Sequence, residues 1–591
     1  MTDRDVLKAR PSLDIIPVRQ EPIGTRPYDV IIVGAGAAGC VLAGRLSETS
    51  HKRVLLIEAG PDAPPGREHA DVRDPFPVSA GNARFFWSGQ TAESGPDPGS
   101  GRFRASAPYL QAFGVGGGSN VNGMFADRGL PSDYDEWRDL GAAGWGWSDV
   151  LPYFKKLEHD RDFTGPLHGT EGPIPVCRIR PEHWAPFSKA LAGALVRRGA
   201  AIVEDYNGDV RDGVSSVPMS CLADQRVSAS MAYLTEQVRQ RPNLTILANT
   251  MVERLDIGCG RIRGVEVRGP TGKGRVSGSE VIVSCGGVYS PTLLLRSGVG
   301  AAKQLWQLGL DVVSDLPGVG RNLQNHCMVA LAIHLRESAM QSQAQRAWQQ
   351  NLLRYSSQVD GCATHDMLLL PFNRAAWHAL GRRTAGLGVF VLKAYSKGSI
   401  ELLSADPSIA PRVRFNLLDD NRDFERLVDG LRIALRALDD SEVRRARNEV
   451  FVPNAAIASY LAKRSTWNRV QAWFISAALS NAPLRHWALR KHTLDVRSMP
   501  EDLNSLRGFV RTRSQAVYHV CGTCKMGRAD DPEAVVDTSC RVRGISGLRV
   551  VDASVFPSVP SAATHLPVLM IAEKMADQIK AEWRATGSAD L

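Results

Sequence analysis

Long apolar runs are missing from this 591-residue chain. None approaches the ~20 residues a bilayer-spanning helix needs, which excludes a function built on transmembrane helices. Internal repeats and long low-complexity segments are also missing, so solenoid and fibrous classes fall away. Residues 1–26 are polar, carry both charge signs and lack an apolar core or twin arginine. They read as a flexible tail and not as a signal peptide. The ten cysteines are scattered, several of them (Cys40, Cys285, Cys327) inside expected strands or helices. That fits buried free thiols in a reducing cytoplasm. Cys521-Gly-Thr-Cys524 has no second pair at zinc-ligand spacing, so the expectation is packing around a tight turn, with no metal. Acids are scarce in one place: Glu442–Arg497 holds ten Lys/Arg against three Asp/Glu. Elsewhere the basic residues behind the net charge of +9 are dispersed, so nucleic acid is not an expected partner. With its apolar interior Trp473–Leu479, the 442–497 segment is the one place suited to a membrane-surface or partner contact, although most charge runs are solvated faces.

What is present is ordinary globular composition, 43% hydrophobic and 23% charged, and one outstanding motif. Tyr28-Asp-Val-Ile-Ile-Val-Gly-Ala-Gly-Ala-Ala-Gly39 reads as a buried strand, a glycine turn and a helix start. Val54-Leu-Leu-Ile-Glu58 reads as a second strand ending on an acid. Gly34 permits the turn, Gly36 lets backbone approach a pyrophosphate, and Gly39 lets the helix pack on the sheet. Glu58 lies 19 residues after Gly39, near the spacing expected of an acid that binds an adenosine ribose. The helix N-terminus supplies free N–H groups and positive potential for phosphates. Dinucleotide binding follows.

Strand and helix patterns alternate to about residue 330, which argues for α/β layers. Leu244–Leu247, Gly264–Arg268 and Val281–Gly287 read as strands, the last ending in a glycine turn. Ser290 is expected to cap a helix with Pro291 at its first position, and Gly298 to end it. Pro61–Gly66 and Glu93–Gly101 read as surface loops. From His334 the pattern is mixed, and the dinucleotide fold resumes near Leu548–Asp552 before an amphipathic helix from Leu566 to Trp583. The expected architecture is a Rossmann-like cofactor domain with an inserted α+β substrate domain containing an antiparallel sheet. Its expected parts are 27–170, 226–330 and 515–591 for the cofactor, and 171–225 and 331–514 for the substrate.

A dinucleotide fold does not choose between nicotinamide and flavin. Three further segments do. Gly114-Val-Gly-Gly-Gly-Ser-Asn-Val-Asn-Gly-Met124 is a second glycine-rich run whose backbone could approach an extended cofactor. Tyr518-His-Val-Cys-Gly-Thr-Cys-Lys-Met-Gly527 places His519 before a turn. Ser561-Ala-Ala-Thr-His-Leu-Pro567 places His565 just before the last helix, whose positive end could stabilise negative charge on a flavin ring.

With these segments, with Gly286–Gly300, with Leu316-Pro-Gly-Val-Gly-Arg-Asn-Leu-Gln-Asn-His326, and with Val551–Ser554 and Met570–Lys574, the chain resembles the glucose–methanol–choline oxidoreductases from Tyr28 to Ile579. Leu130–Trp137, His183-Trp184 and Arg414–Leu418 look most like bacterial aryl-alcohol enzymes of the hydroxymethylfurfural oxidase type. The resemblance implies non-covalent FAD. It implies ADP contacts from Gly34, Gly36, Gly39 and Glu58, and an isoalloxazine-lining run with Gly117, Asn120, Asn122 and Gly123. Asp552 and Ala553 fall near the pyrophosphate and ribityl chain, Val252 at an adenine contact, and Pro567 among the cofactor positions. His519 matches the active-site histidine and His565 the second, His-or-Asn position, which is Asn in the hydroxymethylfurfural type. Gly287 stands where a small Ala-type residue is usual, and Asn325 where Asp is. His326 and His168 read as structural.

The implied activity is oxidation of a primary alcohol, aromatic or furan-type first, to the aldehyde. His519 is expected to accept the hydroxyl proton and His565 to hold the oxygen. Electrons would pass to oxygen or to another acceptor. Oxidation of choline, aliphatic or polyether alcohols with a non-oxygen acceptor stays open, as does a hydroxynitrile lyase. A cofactor-holding partner protein is disfavoured by the two histidines, and a nicotinamide dehydrogenase would leave the Gly116 and His519 segments without purpose.

Overall fold

The computed structural model describes residues 26–96, 101, 104, 106–223 and 225–587. The expected tail 1–26 lies outside them except for its last residue, as do residues 97–100 of the expected Glu93–Gly101 loop.

The first sheet grows from the glycine motif. Tyr28–Val33 is a strand whose last four residues are buried, because parallel strands covered on both faces carry continuous apolar runs. It pairs in parallel with Val54–Ile57 on one side and with the end of Gly272–Val283 on the other. Leu244–Leu247 and Leu548–Val550 complete the parallel ladder at its two edges. The first half of Gly272–Val283 turns away and joins Arg261–Gly269 and Met251–Gly258 in an antiparallel ribbon. The helix Ala37–Leu46 packs against the closing helix His565–Gly587. Arg45 is bound there to the fully buried Glu573, which also accepts from Tyr233 Oη.

The second sheet is antiparallel throughout. Its order is Arg447–Phe451, Cys327–Leu335, Thr384–Val391, Met367–Phe372, Asn351–Tyr355 and Gly213–Ser216. Gln515–Ala516 adds a short strand beside Cys327 and Met328. The helix Asn421–Leu438 covers one face with Leu427, Leu431, Leu435 and Leu438, a stripe at helical spacing.

One expectation about a helix start is corrected. The helix after Val283 begins at Gly286, so Ser290 and Pro291 lie inside it. Ser290 Oγ still satisfies the helix entry by accepting from Cys285 N at 2.9 Å. Pro291 has no N–H for the carbonyl of Gly287. That carbonyl is taken instead by the Thr523 hydroxyl at 2.6 Å, which ties this helix to the His519 turn. Gly298 follows the helix end with φ +83°, as its position requires.

No helix among the described residues is long and apolar enough to cross a membrane.

Candidate active site

Several of the expected cofactor residues sit at the carboxyl ends of the parallel strands, where open α/β sheets bind ligands. Gly34 follows Val33, Glu58 follows Ile57, and Asp552 stands two residues past Val550. A 370 Å³ cleft lined by Asp29, Lys52, Glu280 and Trp583 lies at the opposite, amino ends and brings none of these residues together.

Three glycines divide the work of the turn. At Gly34 the backbone has φ +97° and an added Cβ would stand 2.5 Å from the Ser284 carbonyl. At Gly39 a Cβ would stand 2.0 Å from the Gly34 carbonyl, so the helix comes this close only without a side chain. At Gly36 a Cβ would meet nothing nearer than 3.9 Å. The protein's own packing does not require Gly36; open space lies in front of it, at a helix N-terminus with no acid in its first turn.

The second glycine run is laid against the first. Gly116 N donates to Ala35 O at 2.8 Å, and a Cβ on Gly117 would stand 2.7 Å from Gly36 Cα. Glu58 joins both runs: it accepts from Ala35 N at 2.8 Å, Gly60 N at 2.9 Å and Gly114 N at 3.2 Å. Gly117–Asn120 forms one turn of 3-10 helix, with Asn120 Nδ2 on Val115 O and Asn120 Oδ1 buried without a partner among the described residues. Asn122 Oδ1 accepts from Met124 N and from Arg226, and Gly123 faces Gln349 Oε1. Asp552 accepts from Gly286 N, Ser290 Oγ and Ser554 N, setting a carboxylate at the positive end of the Gly286–Arg296 helix. Ala553 is buried beside it, and Ser554 Oγ is another buried oxygen without a partner among the described residues. Val252 is buried in the strand that begins just beyond Thr250, whose N–H bonds Glu58 O. Pro567 lies in the first turn of the closing helix, where a missing N–H costs nothing. A flexible dinucleotide fits this groove. It has a glycine cradle, an open helix N-terminus, and buried oxygens in need of donors.

The histidines come next. His519 N donates to Asn325 Oδ1 at 3.1 Å, and Asn325 Nδ2 donates to Val517 O at 2.6 Å, so Asn325 fixes the backbone on both sides of Tyr518. His519 Nδ1 lies 2.7 Å from His326 Nδ1, and His326 Nε2 lies 3.0 Å from Pro560 O. A carbonyl only accepts, so His326 Nε2 carries a proton. Burial holds His326 down at about 4, so the ring is neutral and its Nδ1 has only a lone pair to offer. His519 must therefore donate from Nδ1, and its Nε2 is left as a base. Burial, with His326 beside it, pushes His519 well below the usual imidazole range, so this base stays unprotonated at neutral pH.

His565 is the first residue of the closing helix, and its Nε2 is buried without a partner among the described residues. Burial and Arg226 lower it to about 4. Asp127 carries the loop before it by accepting Ala563 N at 3.0 Å, and Asp133 accepts Ser561 N and Oγ. Burial pushes the Asp127 carboxyl up to about 7.

Arg226 is fully buried, with Nε on Val72 O and Nη1 on Ser119 O and Asn122 Oδ1. Burial lowers it to about 10, which leaves it a cation at neutral pH, and Nη2 has no partner among the described residues. It places fixed positive charge between the second glycine run and His565. Sequence reasoning missed Arg226 and took His326 as structural. The signal for His326 was its place at the end of Leu316–His326; no local pattern marks Arg226. An apolar wall completes the site. Met124, Phe125, Leu368, Phe390 and Leu392 form one cluster, joined by Val517 and Ala563, each two residues from a histidine.

His168 stays away from this centre. With Glu158 and Asp160 it forms a buried group whose ligand atoms lie within 4.8 Å of one another. Arg128 on Glu158 and Arg178 on Asp160 neutralise both carboxylates. Hydrogen bonds to Asp160, Asp205 and Glu158 raise His168 to about 10 against the effect of burial, so the group already holds its cations. Cys521 and Cys524 are buried free thiols, both pushed up by burial.

Family models described as GMC oxidoreductase match residues 28–328 and 394–572. A 5-(hydroxymethyl)furfural oxidase of Methylovorus sp. is 39% identical over 565 residues, covering 93% of this chain and 98% of that protein. An oxygen-dependent choline dehydrogenase of Rhizobium etli is 32% identical, covering 93% and 95%. The crystal structure of pyridoxine 4-oxidase from Mesorbium loti superposes with a TM-score of 0.77 at 26% identity, over 93% of this chain and 99% of that one.

Proposed function

The chain belongs to the GMC oxidoreductase family, and from that premise we propose that it oxidises a primary aromatic or furan-type alcohol to the aldehyde with His519 as proton acceptor. The enzyme is an FAD-dependent alcohol oxidoreductase. When bound, FAD supplies a ring whose N5 takes hydride from the α-carbon of an alcohol. Gly34, Gly36 and Gly39 with Glu58 would hold its ADP half. Gly117, Asn120, Asn122 and Gly123 would line its ring, and Asp552, Ala553, Val252 and Pro567 its remaining contacts.

The protein residues handle the proton and the oxygen. His519 Nε2 takes the hydroxyl proton as the carbon–hydrogen bond breaks. His326 keeps that nitrogen free by holding the proton of His519 on Nδ1. His565 Nε2 meets the substrate oxygen from the positive end of the closing helix, and Asp127 sets the loop that carries it. General-base help of this kind is worth about 10²–10⁴-fold. The cluster of Met124, Phe125 and Phe390 favours a flat apolar substrate body, and the buried cation of Arg226 disfavours a quaternary ammonium group beside it.

The observation that carries this reading is the fixed chain Pro560 O, His326, His519, which leaves one neutral imidazole nitrogen pointed away from its own support. The test is anaerobic mixing of the yellow enzyme with benzyl alcohol, furfuryl alcohol, choline, ethanol and mandelonitrile, followed by admission of air. Bleaching of the flavin band fastest with the first two supports the reading. Choline or ethanol as the best reductant overturns the substrate class. Aldehyde release from mandelonitrile without bleaching by any alcohol overturns the activity.

A further inference from the structure

One face of the molecule is built inside out. The helix Thr466–Ser480 buries Asn468, Ala472 and Ser476, a small and largely polar stripe at spacing four. Its large apolar residues point the other way. Trp467 is 64% exposed, Trp473 58% and Phe474 62%, with Val470 beside them. Trp467, Val470, Phe474, Ala477 and Ala478 follow the three–four spacing of one helix face, so the apolar stripe is continuous and faces outward over about 17 Å. The neighbouring helices repeat the pattern. Trp487 (66%) and Leu484 are exposed on Ala482–Leu489, and Ile457 and Tyr460 on Ala455–Ala462. Isolated exposed apolar residues are normal; three adjoining helices with aromatic faces outward mark a contact surface.

Charge selects the occupant. Between Glu449 and Asp495 there is no acid, while Lys463, Arg464, Arg469, Arg485, Arg490 and Lys491 are all basic. Arg464 is paired with Asp71 and Arg485 with Glu449. Lys463, Arg469, Arg490 and Lys491 are exposed and have no ion pair among the described residues. Arg490 lies over the ring of Trp487 and Arg469 over that of Trp377. A second copy docked by twofold symmetry would set this basic patch against itself, which like charge opposes. The surface is also seated firmly on the body: Trp377 Nε1 donates to Ala462 O at 2.9 Å, and that same carbonyl is 2.7 Å from where a Gly81 Cβ would stand.

We propose that the face formed by residues 455–491 docks on a lipid bilayer bearing anionic headgroups. Tryptophan and phenylalanine rings enter the headgroup boundary, and these four cations meet the lipid phosphates. Each Lys or Arg brought to an anionic surface multiplies partitioning by about five, so the four contribute on the order of several hundred-fold. This surface is independent of the active-site reading.

The test uses the full-length FAD-loaded enzyme and sedimenting vesicles of phosphatidylcholine, with or without about 30% phosphatidylglycerol. Binding at least ten-fold stronger to the anionic vesicles, weakened by salt, is expected. Lys463→Gln/Arg469→Gln/Arg490→Gln/Lys491→Gln should lose that gain, and Trp467→Ser/Trp473→Ser/Phe474→Ser should weaken binding to the anionic vesicles about ten-fold or more, both keeping the flavin spectrum and alcohol-dependent bleaching. No binding to anionic vesicles overturns the proposal, as does binding that the aromatic variant leaves intact. Concentration-dependent dimerisation abolished by the aromatic variant assigns the face to a second copy. Equal retention on an acidic polypeptide, with no vesicle binding, assigns it to an acidic protein.

Discussion

Replacing His326 by leucine removes the acceptor that fixes the tautomer of His519 and leaves the fold's main ladders untouched. In the wild type the His326 Nδ1 lone pair sits 2.7 Å from His519 Nδ1. A buried neutral hydrogen bond contributes about 0.5–1.5 kcal/mol net, which biases the tautomers by roughly two- to twelve-fold. Losing it also frees the ring to turn, and a misplacement of about 1 Å can cost 10²-fold. The expected result for His326→Leu is a rate of anaerobic flavin reduction about 10–100-fold below wild type, at unchanged pH optimum. His326→Asn returns an acceptor oxygen close to the lost Nδ1 and should recover the rate to within about five-fold. A merely structural histidine would not separate the two variants, since both lose the bond to Pro560 O. Stopped-flow bleaching with a good alcohol gives the rates, and ¹⁵N shifts of His519 report the tautomer directly. This role of His326 is refuted if His326→Leu reduces flavin at the wild-type rate, or if Asn and Leu are equally impaired while His519 keeps a protonated Nδ1.

Gly36 and Gly39 should separate cofactor binding from folding. Gly36→Ala, with its Cβ 3.9 Å from the nearest atom, should leave the apoprotein's melting temperature unchanged and weaken FAD binding by about 10–100-fold, the loss of one or two charge-assisted bonds. Gly39→Ala, with its Cβ 2.0 Å from the Gly34 carbonyl, should lower the melting temperature itself; FAD titration and calorimetry of both apoproteins decide. Stability should also fall as pH drops from 6.5 towards 4. Burial holds His326, His334, His378 and His565 at about 4, and His519 well below the usual imidazole range, against about 6.5 unfolded. Between those values the unfolded chain binds more protons, so each histidine's contribution is full above 6.5 and is lost at up to about 1.4 kcal/mol per pH unit. Asp127, held at about 7, and Asp552, also raised, oppose this and are outnumbered. A melting temperature constant over that range would contradict the burial of these rings.

What was legible in the sequence was local. The strand–glycine–helix unit at Gly34–Gly39 and the closing helix announce themselves because each is specified by contiguous residues whose apolar period matches its geometry. The helix entry at Ser290–Pro291 misled because its cap signal is satisfied from inside: Thr523, 236 residues away, takes the carbonyl that Pro291 strands. The His326–His519 contact joins residues 193 apart through the packing of two loops, and no periodicity records it. Arg226 is invisible for the same reason, being a cation whose partners are backbone oxygens and one asparagine from other segments. The 466–480 helix shows the converse limit. Its apolar stripe is plain in the sequence, but a stripe does not say whether core or solvent lies beyond it.

The neutral base is the centre of the account, and the rate of anaerobic flavin reduction as a function of pH tests it most directly. Wild-type enzyme should hold a constant rate down to pH 6.5 and below, because His519 remains unprotonated there. His519→Ala should fall about 10²–10⁴-fold and regain rate as pH rises and hydroxide takes over the proton. A His519→Ala enzyme that bleaches within a few-fold of wild type at neutral pH would contradict the assignment of the proton to His519.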